Sequence, residues 1–314
     1  MKNNRVVIVG TGFVGMSYAY ALLNQGVVEE LVLIDLNKEK AEGEAMDLNH
    51  GLAFAPRKMS IKAGDYSDCK DASLVVITAG VNQKPGETRI DLLNRNAKII
   101  QTVTSNIMKS GFDGIILVAS NPVDILTYVA WKESKLPSSR VLGSGTSLDT
   151  ARLRYEISKY IHIDSRNIHA YIMGEHGDSE FVCWSKAYVG AKPMLDVIES
   201  MEEINFEDLD HIYQSVRDAA QEIIQKKNAT YYGIGMALVR ITQAIFNNEN
   251  RIMPISAYND GVYDIDKDLY IGLPAVLNRD GVHHVVNLKL SEDEQIKLQK
   301  SAKLLKDSLN QMNL

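Results

Sequence analysis

Val6-Val7-Ile8-Val9-Gly10-Thr11-Gly12-Phe13-Val14-Gly15 decides the fold of this 314-residue chain. Four apolar residues in a row predict a strand buried on both faces, and the glycines turn it into a helix over 13–25. A G-x-G-x-x-G match alone is weak, because glycine-rich turns are common. Here strand, turn and helix come in the required order. Gly10 permits the tight turn, Gly12 lets the backbone approach a pyrophosphate, and Gly15 allows close packing of helix on strand. The helix N terminus then offers free N–H groups to phosphate. The bland alternative is an ordinary βαβ turn.

Asp35 ends the next apolar run, twenty residues after Gly15. A carboxylate there accepts hydrogen bonds from both adenosine ribose hydroxyls and repels a 2′-phosphate, which favours NAD over NADP. Lys40 is placed to reach the adenosine end, with a solvated helix face the equal alternative for it and for Lys38.

Outward from this unit, Val6–Val9, Leu31–Ile34, Met59–Ala63, Leu74–Thr78 and Ile115–Val118 read as strands, with helices near 13–25, 38–48, 88–110 and 123–133. Apolar strands separated by helices predict an α/β fold, a Rossmann-type doubly wound parallel sheet. The second half changes to an α+β pattern. It has helices at 149–161, 206–226 and 230–247, and strands at 168–173, 252–258, 269–273 and 282–288. A final helix carries Leu298, Ala302, Leu305, Leu309 and Met312 on one stripe, expected to dock on the core. The expected division is 1–145 for the NAD-binding domain and 146–314 for a catalytic, substrate-binding α+β domain.

Composition excludes several classes. Apolar residues make up 45 % and the net charge is -6, with no basic block to track a nucleic acid. No apolar run approaches a membrane span, and a strand beginning at Arg5 leaves no room for a signal peptide, so the expectation is a cytoplasmic protein. Cys69 and Cys183, one pair far apart, are read as packed small side chains rather than a disulfide framework.

Two segments carry chemistry. Ala79–Arg89 leaves the end of a buried strand with a neutral amide at Gln83 and a guanidinium at Arg89, bracketed by Gly80 and Gly86, as a loop able to close over a ligand. Gly174-Glu175-His176-Gly177-Asp178 places an accessible histidine at a strand end, with an ordinary pKa suited to exchanging a proton with an alcohol or carbonyl. Asp149 is the candidate carboxylate to fix its tautomer, and Arg152, three residues on, is positioned to fork onto a substrate carboxylate. Asn121, in Ser120-Asn121-Pro122-Val123-Asp124, points into the crevice at a strand end, or else simply enters a helix with Pro122 setting the turn. Glu175, His176 and Asp178 lack a second histidine or cysteine at ligand spacing, so no metal is expected. His283 and His284 are expected on opposite strand faces, and with His50, His162 and His211 are read as structural or surface residues.

These segments, in this order and with Gly143–Arg152 and Asn228–Gly233 added, resemble the L-lactate dehydrogenase family of the lactate/malate dehydrogenase superfamily, bacterial members above all. The resemblance implies His176 as proton donor and acceptor with Asp149 as its partner, Arg152 on the substrate carboxylate, and Arg89 polarising the carbonyl. It implies Asn121 at the substrate oxygen and Thr230 in the pocket, with Gln83, Pro122, Val123, Asp124, Thr150 and Ala151 along the substrate site. Gly10, Gly12, Val14, Gly15, Asp35, Lys40, Tyr66, Gly80, Val81, Thr102, Ala119, Ser120, Asn121 and Ser144 are expected to contact NAD. The implied reaction is pyruvate + NADH + H⁺ to L-lactate + NAD⁺. Val81 departs from the alanine of many lactate enzymes and occurs also in malate dehydrogenases, which typically carry arginine where this chain has Gln83. A neutral side chain there leaves a second substrate carboxylate without a counter-ion. Arg154 and His169 match positions that bind fructose 1,6-bisphosphate between subunits of allosteric relatives, and the likeness implies a homotetramer. The competing functions are a malate or other 2-hydroxy-acid dehydrogenase, an NAD-dependent glycosidase of the same fold, and a non-enzymatic NAD-binding redox sensor. The glycosidase wants a metal on Cys and His that neither cysteine's context supplies.

Overall fold

The computed structural model describes residues 4–81, 86, 88–201 and 205–312. Strands β1 (Arg5–Val9), β2 (Glu30–Ile34), β3 (Ser60–Ala63), β4 (Leu74–Ile77), β5 (Ile115–Val118) and β6 (Val141–Gly143) alternate with helices α1 (Phe13–Gln25), α2 (Lys38–His50), α3 (Arg89–Lys109) and α4 (Val123–Ser134). These six strands run parallel in the order β3-β2-β1-β4-β5-β6. The order reverses between β1 and β4, so the chain leaving β1 through the glycine turn and the chain leaving β4 toward Val81 flank one crevice at the carboxyl edge of the sheet. Val6–Val9, Leu74–Ile77 and Ile115–Val118 are buried throughout, which is why they read as unbroken apolar runs.

The second half is assembled differently from the expected single strand at 168–173. Helix α5 (Ser147–Ile161) leads to two short strands, β7 (Ile168–His169) and β8 (Ile172–Met173), that enter different sheets. β8 pairs with β9 (Phe181–Val182), while β7 pairs with β10 (Tyr188–Val189), which pairs with β11 (Lys192–Pro193). Helices α6 (Met194–Glu199), α7 (Phe206–Lys227) and α8 (Tyr232–Phe246) follow. Strands β12 (Arg251–Tyr258), β13 (Tyr270–Asn278) and β14 (Gly281–Val285) then rejoin the large sheet, β12 pairing antiparallel with β6 through Ser256 and Gly143. One nine-stranded sheet therefore runs through both halves of the sequence.

Helix α9 (Glu292–Asn310) docks on the core through Leu298, Ala302 and Leu305, with Leu309 partly buried. Cys69 and Cys183 are free and buried, and burial pushes both thiols up to about 12. The expectation for His283 and His284 needs correction. The β13–β14 register shifts by one residue at His283, and this bulge brings the two exposed rings together with their Nδ1 atoms 2.7 Å apart. Among the described residues, no helix is long and apolar enough to cross a membrane.

Candidate active site

The glycine turn is shaped for something other than its own packing. Gly10 takes φ +109°, and a Cβ there would meet the backbone of Ala79 at 2.8 Å. A Cβ on Gly15 would sit 2.1 Å from the Gly10 carbonyl oxygen, so both glycines are required by the fold itself. Gly12 is different: nothing lies within 4 Å of where its Cβ would stand. Its missing side chain leaves open the space in front of the α1 N terminus, where a pyrophosphate approaches. Val14 lines the first turn of the same helix, and Phe13 beside it is 70 % exposed.

Asp35 follows β2 and braces this turn. Its Oδ2 accepts from the Thr11 N–H at 2.7 Å and the Thr11 hydroxyl at 2.8 Å, and its Oδ1 accepts from the Asn37 N–H at 3.0 Å. Burial works against the charge, but these donors and Lys40 outweigh it and hold the carboxyl below its ordinary value. Lys40 donates to the Thr11 carbonyl at 2.5 Å. A cleft of about 190 Å³ opens beside Asp35, lined by Lys38, Ala41, Glu42, Ala63, Gly64 and Asp65. An anionic residue at a strand end, an open N terminus and an adjoining cleft fit an adenosine diphosphate.

Across the crevice, Gly80 and Val81 are exposed after β4, and Ala119, Ser120 and Asn121 follow β5. The Ser120 hydroxyl donates to the Ala79 carbonyl at 2.6 Å, and the N–H of buried Ser144 donates to the Val118 carbonyl at 2.8 Å. Tyr66 packs partly buried against the core and bonds to Asn106. Thr102 lies on the exposed face of α3 with its hydroxyl on Lys98, beside Gln101, Ser105, Asn106, Lys109 and Glu133.

Sequence reasoning overlooked Asn96, which ties these loops together. Its Oδ1 accepts from the Val81 N–H at 3.0 Å, and its Nδ2 donates to the carbonyls of Val81 and Asn121, each at 3.3 Å. Asn96 is buried in the stripe that Leu93, Ala97, Ile100 and Ile107 form on α3. An amide within an otherwise apolar helical stripe is the signal that was available.

His176 and Asp149 meet as expected. Nδ1 of the imidazole lies 2.7 Å from Asp149 Oδ2, while Asp149 Oδ1 accepts from Arg152 Nη1 at 3.0 Å. Several bonds set that geometry. The Thr146 hydroxyl donates to the Ile172 carbonyl at 2.6 Å, and the Thr150 hydroxyl accepts from the Ile172 N–H at 3.0 Å, fixing α5 against β8. Gly174 exchanges backbone hydrogen bonds with Gly272 of β13, and Ser301 of α9 accepts from the Glu175 N–H at 2.6 Å.

Asp124 is placed inward rather than toward an incoming substrate. It is buried, accepts from the His176 backbone N–H at 2.8 Å and from the Ser256 hydroxyl at 2.6 Å, and so positions the histidine. Burial pushes its carboxyl up to about 6 despite those donors. Val123 and Thr150 are likewise buried; Ala151 and Asn121 are exposed, and Pro122 and Thr230 are half-buried. Gln83 lies outside the described residues, and Arg89 is located only by its backbone at the start of α3.

Glu180 is the second residue that sequence reasoning missed. It is buried, and its carboxylate lies 4.0 Å from His176 Nδ1. A carboxylate four residues past the histidine, just before apolar Phe181-Val182, was the available signal. Burial lowers the imidazole's pKa, but Asp149, Glu180 and Asp124 more than offset this and raise it to about 9. For Asp149, burial is outweighed by His176 and Arg152, which keep its carboxyl low. Asp149, His176 and Glu180 bring ligand-type atoms within 4.8 Å of one another. The positive charge among them comes from Arg152 and the imidazolium, and Nδ1 is already committed to Asp149.

The family model for the lactate/malate dehydrogenase NAD-binding domain matches residues 4–143, and that for the α/β C-terminal domain matches 146–313. The chain is 57 % identical over 306 residues to L-lactate dehydrogenase 2 of Bacillus cereus, covering 98 % of this chain and 97 % of that one. It is 58 % identical over 307 residues to an L-lactate dehydrogenase of a Geobacillus species, covering 98 % and 96 %. Among solved structures, a lactate dehydrogenase from a Medee basin deep-sea metagenome library aligns over 100 % of both chains with a TM-score of 0.99 and 76 % identity. The ligand-bound minor L-lactate dehydrogenase of Enterococcus mundtii aligns over 100 % of both chains with a TM-score of 0.97 and 50 % identity. With both halves matched to one family and the glycine turn built for a dinucleotide, the chain belongs to the lactate/malate dehydrogenases, the oxidoreductases that use NAD.

Proposed function

We propose that this protein is an L-lactate dehydrogenase, reducing pyruvate with NADH and a proton to L-lactate and NAD⁺. The observation that carries the proposal is the 2.7 Å pairing of His176 with Asp149 beside the crevice, with Arg152 on the same helix. The names of its bacterial relatives support the choice of substrate.

Because Nδ1 faces Asp149, Nε2 is the nitrogen left to deliver a proton to the substrate carbonyl oxygen. Asp149 fixes that tautomer and favours the imidazolium, so His176 is loaded with its proton at neutral pH. Arg152 gives one nitrogen to Asp149, and its remaining donors fork onto the substrate carboxylate. Bound NADH supplies the hydride to the carbonyl carbon. Arg89, assigned from sequence, offsets the charge that develops on the oxygen. Gln83, also assigned from sequence, leaves no counter-ion for a second carboxylate and so selects pyruvate over oxaloacetate.

The protonated histidine supplies the proton that pyruvate reduction consumes, and the neutral one takes up the proton that lactate oxidation releases. Pyruvate reduction is therefore expected to fall as pH rises through about 9, where the imidazolium loses its proton. Replacing Asn96 with alanine releases Val81 and Asn121 from their shared anchor. The expected result is a fall in kcat/KM of roughly tenfold, chiefly through KM, from the loss of buried hydrogen bonds. Steady-state kinetics with NADH and pyruvate checks it.

A regulatory anion site at Arg154 and His169, between subunits of a homotetramer, forms part of the proposal. Arg154 donates to the Ala170 carbonyl from Nε at 3.2 Å and Nη2 at 3.1 Å and lies over the Tyr171 ring, while His169 is exposed on β7. Holding fructose 1,6-bisphosphate would draw Arg154 from the carbonyl toward a partner of full charge. A panel of 2-oxo acids with NADH, run with and without fructose 1,6-bisphosphate at subsaturating pyruvate, tests both parts. Failure to turn over pyruvate would remove the enzymatic assignment, and indifference to the bisphosphate the regulatory one.

A further inference from the structure

We infer that Glu180 is a positioning residue that holds the proton of His176 from the side of Asp149, acting as a second, reserve carboxylate. The inference rests on the reading of His176 as the proton donor. Its basis is geometric: the Glu180 carboxylate stands 4.0 Å from Nδ1, the atom that already meets Asp149 at 2.7 Å.

The surroundings of Glu180 explain how a second carboxylate is tolerated there. His176 faces it from the loop after β8, Asp149 and Arg152 from α5, and Arg217 and Tyr213 from α7. Asp124 and Glu175 complete the charged groups around the histidine. The Tyr213 hydroxyl donates to the Glu180 backbone carbonyl and pins that end of β9 against α7. Two ionised carboxylates at one imidazole would repel each other, and burial makes the repulsion larger. Burial and Asp149 accordingly raise the Glu180 pKa well above the ordinary carboxylate range.

A charge-balance consequence follows. Raised toward its neutral form, the Glu180 carboxyl lightens the negative charge that an anionic substrate meets on approaching Arg152. In the alkaline range, where His176 begins to lose its proton, Glu180 ionises and strengthens the hold on the imidazolium. The proton-loaded state then persists to higher pH than Asp149 alone would allow.

The test compares the parent with Glu180→Gln and Glu180→Asp as full-length proteins. Two readouts are used: the titration midpoint of His176 by NMR of histidine-labelled protein without substrate, and the pH profile of kcat/KM for pyruvate. The expected result for Glu180→Gln is a His176 midpoint lower by about one pH unit, and an alkaline limb displaced by the same amount. Glu180→Asp, which keeps the charge, should restore part of the shift. An unchanged midpoint, or a rate loss equal at every pH, would overturn the role given to Glu180. A lowered midpoint in a protein whose parent does not reduce pyruvate would uphold Glu180's hold on His176 and overturn the lactate dehydrogenase reading instead.

Discussion

Replacing His176 with alanine is expected to lower pyruvate turnover about 10³-fold while NADH affinity stays within a few-fold of the parent. The size follows from the loss of the acid itself. Asp124 bonds to the backbone N–H of His176 rather than to its ring, so the loop keeps that anchor after the ring is removed. Asp149 loses one partner but retains Arg152 at 3.0 Å, which limits the cost of leaving a buried carboxylate behind. The glycine turn and Asp35 follow β1 and β2 and hold each other through Thr11, with no bond to the imidazole among those that fix them. Binding of NADH by fluorescence titration, set beside steady-state turnover, checks both halves. The variant should also lose the alkaline fall that the parent shows near about 9. Turnover within tenfold of the parent would dismiss His176 as the proton donor.

Gln83→Arg is expected to raise the ratio of kcat/KM for oxaloacetate over pyruvate by about 10²-fold or more. The two substrates differ by one carboxylate at the end of the 2-oxo acid. Burying that group without a counter-ion costs several kcal/mol, and pairing it with a guanidinium removes most of that cost. The arginine also leaves a buried cation unpaired when pyruvate binds, so the pyruvate rate should fall as the oxaloacetate rate rises. Parallel kinetics on the two acids measure the ratio. A ratio unchanged by the substitution would remove Gln83 as the residue that discriminates.

Local pattern made much of the site legible. The β1–α1 turn, Asp35, and the pairing of His176 with Asp149 all sit where hydrophobic runs end, and strand ends are what sequence periodicity locates best. The return of β12–β14 to the parallel sheet was not legible, because the pairing of Ser256 with Gly143 joins residues more than a hundred positions apart. β6 itself is three residues long, too short to register as a run. The bulge at His283 depends on a register with β13 that no single strand encodes. Asn96 and Glu180 escaped for a different reason. Each is a polar residue whose meaning comes from what packs on it, and alone each resembles an ordinary helix or strand residue.

The bond from Ser301 to the loop of His176 bears on how the molecule is made. Ribosomes release a chain from its N terminus, so the β1–β5 segment emerges early and can begin to assemble before the rest exists. The loop of His176 must wait. Its Glu175 N–H finds its acceptor on α9, the most C-terminal element of the fold. During synthesis the loop of His176 therefore gains this anchor only once α9 has been made, long after the strands that flank the glycine turn.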